Sequence, residues 1–488
     1  MSTAPLDRAR PAGRPTPPDG GAVDSDRLYT KVARRLLPLL GLLYLVSYLD
    51  RSNIAFAAPN GMNEELALTS AAFGLASGIF FLGYSLVEVP SNLALRRFGA
   101  RAWLVRILVS WGIVATATAF VTSAGQLQTA RLLLGIAEAG CLPGIVYYLT
   151  LWLPRSVRTR LMAVFFVALP LSTALGAPLS GWLMQAADGM FGLSGWRAMF
   201  LLEGLPALLL AVVVWKMLPD GPAEARWLTP RERDHLLAAV ARDEEPPATS
   251  GAGSEAGSEA ASAKGGGWFT PRTLLLGLAY FGIIYGLYAL SFFLPTIIAG
   301  FQGEGGAPFT LLERGLINAV PYALGAVAML WWGRRAQSST RVSRYVAVPA
   351  VVAGVSVPLA LYMGTPMLTM VVISVTAVSV LSAIPVFWSL PTATLTKKGA
   401  AGGIALVNTI GSLGGFAAPY FTGWLKDWTG SVRPGLWLTG GLLIMSAVLV
   451  TLLARGNRQA PAGAEPAADA HPAAEPAPAA AEAREATV

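Results

Sequence analysis

Cysteine occurs once, at Cys141, inside an apolar run. That excludes an intramolecular disulfide and a thiolate metal cage. Histidine occurs twice, at His235 and His471, each in a polar stretch without a metal-ligand neighbour, and both read as solvent-exposed. No Ser/His or Cys/His pair falls within the apolar runs, so no catalytic constellation is legible and no cofactor is implied. Charge is scarce as well: 13% of the 488 residues are Asp, Glu, Lys or Arg, against 54% hydrophobic. A soluble domain carries about 25% charged residues. That class is therefore excluded, and an enzyme is not expected.

What is present is a series of apolar runs of about 18 residues or more, each long enough to cross a bilayer. They are continuous rather than alternating in polarity, which selects helices over a barrel. Twelve spans are expected, at approximately 34–57, 72–95, 102–121, 127–152, 160–185 and 197–217, then 273–298, 313–333, 344–363, 367–389, 400–425 and 434–454. The expected fold is an all-α membrane protein with twelve transmembrane helices in two six-helix bundles, residues 31–218 and 271–455. Residues 1–30 read as a disordered tail rather than a cleaved signal, because the first apolar run is too long for one. Residues 456–488, rich in Ala, Pro and Glu, read as a second disordered tail. Between the bundles, residues 219–270 form a polar linker whose middle, "ATSGAGSEAGSEAASAKGGG", is low-complexity. Within it, Thr229, Pro230 and Glu232 form a capping-box start for a short helix with Leu236, Leu237 and Val240 on one side.

The formal net charge of +8 would suggest nucleic acid in a soluble protein. Here the basic residues sit in alternate short loops: Arg96, Arg97 and Arg101; Arg155, Arg158 and Arg160; Arg334, Arg335, Arg341 and Arg344; Lys397 and Lys398. Lys426 and Arg433 are the mild exception. This asymmetry orients both termini and the linker to the cytoplasm, and no nucleic-acid partner is expected. Internal echoes, "APLSGWL" (177–183) with "APYFTGWL" (418–425) and "YSL" (84–86) with "YAL" (322–324), favour two related halves. A substrate site between parallel repeats lies near mid-membrane.

Charges inside spans are few, and each is expensive unless it meets protein, water or a partner. Span one has Asp50 and Arg51, span four Arg131 and Glu138, span six Glu203 and span two Glu88. At 1.5 Å per residue, Asp50 and Arg131 lie about 10 and 6 Å below the outer membrane edge, so they are expected to meet. Arg131 and Glu138, seven apart, share a face. Tyr44, Ser47, Tyr48 and Arg51 form one stripe of span one, a lining suited to a carboxylate, which an Arg fork binds bidentately. An anion on Arg51 or Arg131 withdraws that cation from a neighbouring carboxylate and favours its protonation, which links substrate to proton. The alternative for these charges is a static ion-pair lock. Glu88 is expected to pair with the arginines after span two, and Glu203 to serve packing. The second half offers polar and aromatic groups instead: Phe281, Tyr285 and Tyr288 on one face of span seven with Tyr280 off it, Asn318 and Tyr322 on span eight, Trp388 on span ten and Asn408 on span eleven. Gly and Pro in "EAGCLPG" (138–144) permit a kink.

Four stretches, "YLVSYLDRSNIAFA", "GYSLVEVPSNLALRRFGARAW", "RLLLGIAEAGCLPGIVYYLTLWLP" and "GAPLSGWL", together resemble the major facilitator superfamily. More narrowly, the chain resembles the anion:cation symporter family, which includes bacterial tartrate, phthalate, hexuronate and hydroxyphenylacetate permeases. The superfamily's loop motif after span two is degenerate: Asn92 stands at the first Gly position and Arg96 at the Asp position, with Arg97, Gly99 and Arg101 kept. The resemblance implies substrate carboxylate binding by Arg51, proton coupling by Asp50 and Glu138, and a charge network including Arg131. It further implies contacts to the substrate body from Trp388 and Asn408. With Tyr44, Tyr48, Tyr84, Tyr285 and Tyr288, these complete the candidate binding set. The expected activity is proton-driven import of a small organic carboxylate across a bacterial inner membrane by a protein that needs only one copy. A proton-coupled exporter is the alternative, and a non-transporting anion receptor a more distant one.

Overall fold

The computed structural model describes residues 24–154, 157, 158, 165, 167–244, 269–302, 306–339, 341–394 and 400–459. The expectations for residues 1–23, the linker middle at 245–268, Arg155, Arg160, Lys397, Lys398, His471 and the tail from 460 fall outside them.

Helices carry the described residues, and the only β feature among them is an isolated bridge between Gln302 and Pro308. Before the connection come α1 (Ser25–Ala57), α2 (Ser70–Phe98), α3 (Ala100–Ala117), α4 (Ala124–Glu138), α5 (Cys141–Thr150), α6 (Ala168–Ala186) and α7 (Gly195–Met217). The connection holds α8 (Pro230–Glu244). After it come α9 (Pro271–Ala299), α10 (Leu311–Gln337), α11 (Arg344–Leu359), α12 (Pro366–Phe387), α13 (Ser389–Thr394), α14 (Ala400–Thr429) and α15 (Arg433–Gln459). Among the described residues, eleven helical segments are long and apolar enough to span a membrane. α6, softened by Ser, Gly and Pro within its 19 residues, is not one of them.

Local chemistry sets the helix starts. Asp24 caps α1 by accepting from the backbone of Asp26 and Arg27, and Thr310 with Glu313 closes a full capping box on α10. The α8 box also forms: Thr229 N donates to Glu232 at 2.9 Å, and Glu232 N to Thr229 Oγ1 at 3.3 Å. Leu236 of α8 is buried while Leu237 stays exposed. Nζ of Lys31 donates to both Glu232 oxygens, at 2.8 and 2.9 Å, and His235 shares a 2.9 Å hydrogen bond with Ser25. His235 is thus half-buried against α1 rather than solvent-exposed, because the helix docks there.

The fourth expected span is two helices. Ala139 leaves the helical region, with ψ of 130°, and Gly140 has φ of +87°, a region glycine enters without steric cost. A side chain there would also meet Ser91 Oγ, which donates at 2.6 Å to the Ala139 carbonyl that the break leaves free.

α2 packs along α14, and α6 along α10, joining helices from before and after the connection. The approach of α6 and α10 is backbone on backbone: a Cβ at Gly315 would overlap the Ala177 carbonyl. At the end of the molecule where α2 begins, Asp427 accepts from Ser70 N at 3.0 Å and Ala71 N at 2.7 Å. Nearby, Arg314 donates to Asn60 Oδ1 at 2.7 Å. These contacts join residues from before and after the connection at that end. The outer faces are apolar and exposed, as along Leu316, Val320, Leu324, Val327 and Trp331 of α10, the pattern of a lipid-facing stripe.

Candidate functional site

Consecutive helix residues point about 100° apart, and this separates Asp50 from Arg51. Arg51 turns into a central cavity of about 150 Å³, bounded by α1, α2, α4, α5, α6, α9, α12 and α14. Its Nη2 donates to Glu138 Oε1 at 2.6 Å, and the Ser47 hydroxyl donates to the same oxygen. Glu138 is fully buried, and Arg51 retains 14% side-chain exposure. The guanidinium lies among four rings, with Phe80, Tyr48 and Tyr84 centroids at 4.8, 5.2 and 5.3 Å and Phe81 at 5.9 Å, so cation–π attraction compensates part of its lost hydration. Two buried polar atoms here remain unsatisfied: Arg51 Nε and Glu138 Oε2.

Asp50 turns away from the cavity. Its Oδ2 accepts from Trp111 Nε1 at 2.8 Å, and its Oδ1 has no partner. The expected meeting of Asp50 with Arg131 takes a different form. Arg131 donates to the backbone carbonyls of Asp50 at 3.2 Å and Arg51 at 3.0 Å, not to a carboxylate. Arg131 is fully buried and fixes the stretch of α1 that carries both charges. Glu203 accepts from Asn53 at 3.0 Å and Ser180 at 2.7 Å, tying α7 to α1 and α6.

The far wall comes from helices after the connection. Tyr288 meets Tyr48 hydroxyl to hydroxyl at 3.2 Å and packs on Phe81 at 4.4 Å. Trp388 stands edge-on to Tyr280 at 4.9 Å, and Asn408 and Ser412 line the floor one turn apart. Of the candidate binding residues, Tyr44, Tyr48, Arg51, Tyr84, Tyr288, Trp388 and Asn408 face one cavity. Tyr285 does not, which corrects the sequence expectation. The face of α9 that borders the cavity runs through Tyr280, Ile284, Leu287 and Tyr288, one residue out of phase with Phe281 and Tyr285. α9 is apolar on every side, so its periodicity carries no phase. Asn318 and Tyr322 also lie off the cavity, and Tyr322 donates to Ser291 at 3.2 Å.

Glu88 was missed. It borders the cavity, and none of the ion pairs among the described residues joins it to Arg96, Arg97 or Arg101. The signal existed: Phe81, Tyr84 and Glu88 share one face of α2 at the three-and-four spacing. Among the described residues no group of His, Cys, Asp and Glu is arranged to hold a metal ion.

A family model described as Major Facilitator Superfamily matches residues 40–419. A protein named "Putative tartrate transporter" from Agrobacterium vitis is 40% identical over 445 residues, 91% of this chain and 95% of its own. A quinolone resistance transporter from Acinetobacter baumannii is 34% identical, covering 88% of this chain and 95% of its own. Among solved structures, a bacterial homolog of the human lysosomal transporter Spinster, inward-facing and unoccupied, superposes with a TM-score of 0.68. That similarity covers 89% of this chain and 98% of the other, at 18% identity.

Proposed function

Since the chain belongs to the Major Facilitator Superfamily, a family of membrane transporters rather than enzymes, we propose that it carries a small organic carboxylate together with a proton. One observation carries this reading. Arg51 meets Glu138 through one nitrogen of its fork, and its side chain keeps 14% exposure at a ring-lined cavity. An arginine fork with a spare donor suits a second carboxylate. When the substrate engages Arg51, Glu138 loses its cationic partner and takes up a proton, and the two cargoes then leave together. Tyr44, Tyr48, Tyr84 and Tyr288 enclose the substrate, and Trp388 and Asn408 meet its body. Asp50, held by Trp111, is the second proton-responsive group, and Arg131 positions both charges. The tartrate transporter relative supports the carboxylate class.

In this proposal α6 is a twelfth span, and two six-helix bundles rock about the cavity in the inner membrane of a bacterium. Both termini are cytoplasmic, where the arginine-rich helix ends gather. One copy is sufficient. The contacts of Asp427 and Arg314 then close the outer side, so the cavity would open inward.

The test is uptake of labelled tartrate and related acids into proteoliposomes under an imposed pH gradient. Accumulation that collapses when the gradient is discharged supports the reading; uptake indifferent to the gradient, or none for any carboxylate, refutes it. The quinolone resistance relative favours a second reading, proton-coupled export. Everted and right-side-out vesicles separate the two, because import and export respond oppositely to the same gradient.

A further inference from the structure

A second polar site lies apart from the central cavity. Where α1 begins and α7 ends, two open grooves of about 980 and 730 Å³ adjoin and share Arg35, Met217 and Trp227. Arg34 borders the first, and Lys216 and Arg226 the second. Arg34, Arg35, Lys216 and Arg226 are all exposed, and none takes part in an ion pair among the described residues. The acids that face the grooves, Asp26 and Glu224, leave both with a cationic excess. Trp227 stands between them, stacked on Trp152 at 5.5 Å with Arg35 at 5.5 Å over its ring, so the shared wall is rigid.

The position of the grooves identifies the ligand. Immediately along α7, Leu209, Val212, Trp215 and Met217 are exposed at 53–67%, a surface suited to acyl chains. The cationic grooves therefore sit at the headgroup level of the adjoining leaflet. Arg35 is sixteen residues from Arg51, about 24 Å along a helix, which keeps this site separate from the transport cavity. We infer that the paired grooves bind the phosphate of an anionic phospholipid, whose chains lie along α7. Basic pockets between helices at a membrane surface recognise such headgroups, and guanidinium forks match phosphate geometry. Bound lipid would tie the linker segment around Trp227 to the start of α1.

Native mass spectrometry of the full chain, with phosphatidylglycerol, phosphatidylcholine and free glycerol 3-phosphate as probes, tests this. Phosphatidylglycerol should be retained in preference to phosphatidylcholine. Arg34→Gln/Arg35→Gln/Lys216→Gln should reduce that preference at least about tenfold, and Arg226→Gln alone roughly fivefold, the scale of one basic side chain near a membrane surface. A control removing the same charge elsewhere, Arg334→Gln/Arg335→Gln/Arg341→Gln, should keep it. Equal retention of the two lipids, an unchanged preference in the groove variants, or an equal loss in the control overturns the inference. Displacement of the lipid by glycerol 3-phosphate overturns it too, because the ligand is then a soluble phosphate. None of these readouts depends on which acid is transported, so failure here leaves the transport proposal standing.

Discussion

Nη2 of Arg51 lies 2.6 Å from Oε1 of Glu138, and that oxygen also accepts from Ser47. A fully buried carboxylate therefore depends on a cation that still faces the cavity. Competition for that cation is the physical basis of coupling in the proposed cycle, and it makes the two residues separable by experiment.

Arg51→Lys keeps the charge and loses the fork. A point charge cannot grip a substrate carboxylate bidentately, and a hydrogen bond to a charged group is worth about 1.5–3 kcal/mol. Substrate affinity should fall roughly ten- to hundredfold on that scale, read as Kd by calorimetry on the purified protein. Wild-type affinity would remove Arg51 from the site.

Glu138→Gln keeps the shape and abolishes the titration. Concentrative uptake under a pH gradient should be lost, while exchange of labelled for unlabelled substrate at equal pH should persist. If the variant still accumulates substrate, the proton enters elsewhere, and Glu88, which shares the cavity, is the next group to replace.

Trp111→Phe removes the one hydrogen bond that the Asp50 carboxylate receives among the described residues. Leaving a buried acceptor unsatisfied costs about 1–3 kcal/mol. Because Asp50 faces away from the cavity, Kd should change by less than about twofold, within a fraction of a kcal/mol, while the pH profile of uptake shifts. A large loss of affinity with an unaltered pH profile would contradict this division.

Asp427→Ala removes an acceptor from the start of α2. Losing a helix N-terminal cap costs about 1 kcal/mol, so the population with that end open should rise about fivefold on the same scale. Distances between spin labels on the first turn of α2 and the last turn of α14 report it, and an unchanged distribution would show that the contact carries no gating energy.

The Lys31 hydrogen bond, and then the Thr229 backbone, hold the Glu232 carboxyl below the usual glutamate range. A depressed folded-state value stabilises above the unfolded pKa of about 4.3 and is lost as pH falls through the folded value. The pair is exposed, so its contribution is under about 1 kcal/mol. Hydrogen exchange in the first turn of α8 should be insensitive between pH 8 and 6 once corrected for intrinsic rates, and protection should weaken only below about pH 4. Equal weakening in Glu232→Gln at neutral pH is expected; no change in that variant would mean the docking rests on Leu236 and the His235–Ser25 hydrogen bond.

The all-helical membrane class was legible because lipid leaves few backbone solutions, whereas α6, interrupted by Ser, Gly and Pro, is not among the eleven described segments apolar enough to span a membrane. The rarity of buried charge likewise drew attention to Asp50, Arg51, Arg131 and Glu138. Which way each points was less accessible. Arg51 and its stripe could be phased because polar and aromatic residues alternate with apolar ones on α1. Tyr285 and Tyr280 could not, because α9 is apolar around its whole circumference and every face looks alike. Proximity in sequence pairs Glu88 with nearby arginines, although its own helical face already joins it to Phe81 and Tyr84.

The sequence alone determined that this chain is a helical membrane protein with a few ionisable groups at depth, because hydrocarbon tolerates neither open backbone nor unsupported charge. Only the tertiary structure decided that Arg51 holds Glu138, that Arg131 grips carbonyls instead of Asp50, and that Gly140 breaks the fourth span beside Ser91. Each of those depends on how helices are rotated and how closely they approach. Those quantities are set by contacts between residues far apart in the chain, to which a one-dimensional period is blind.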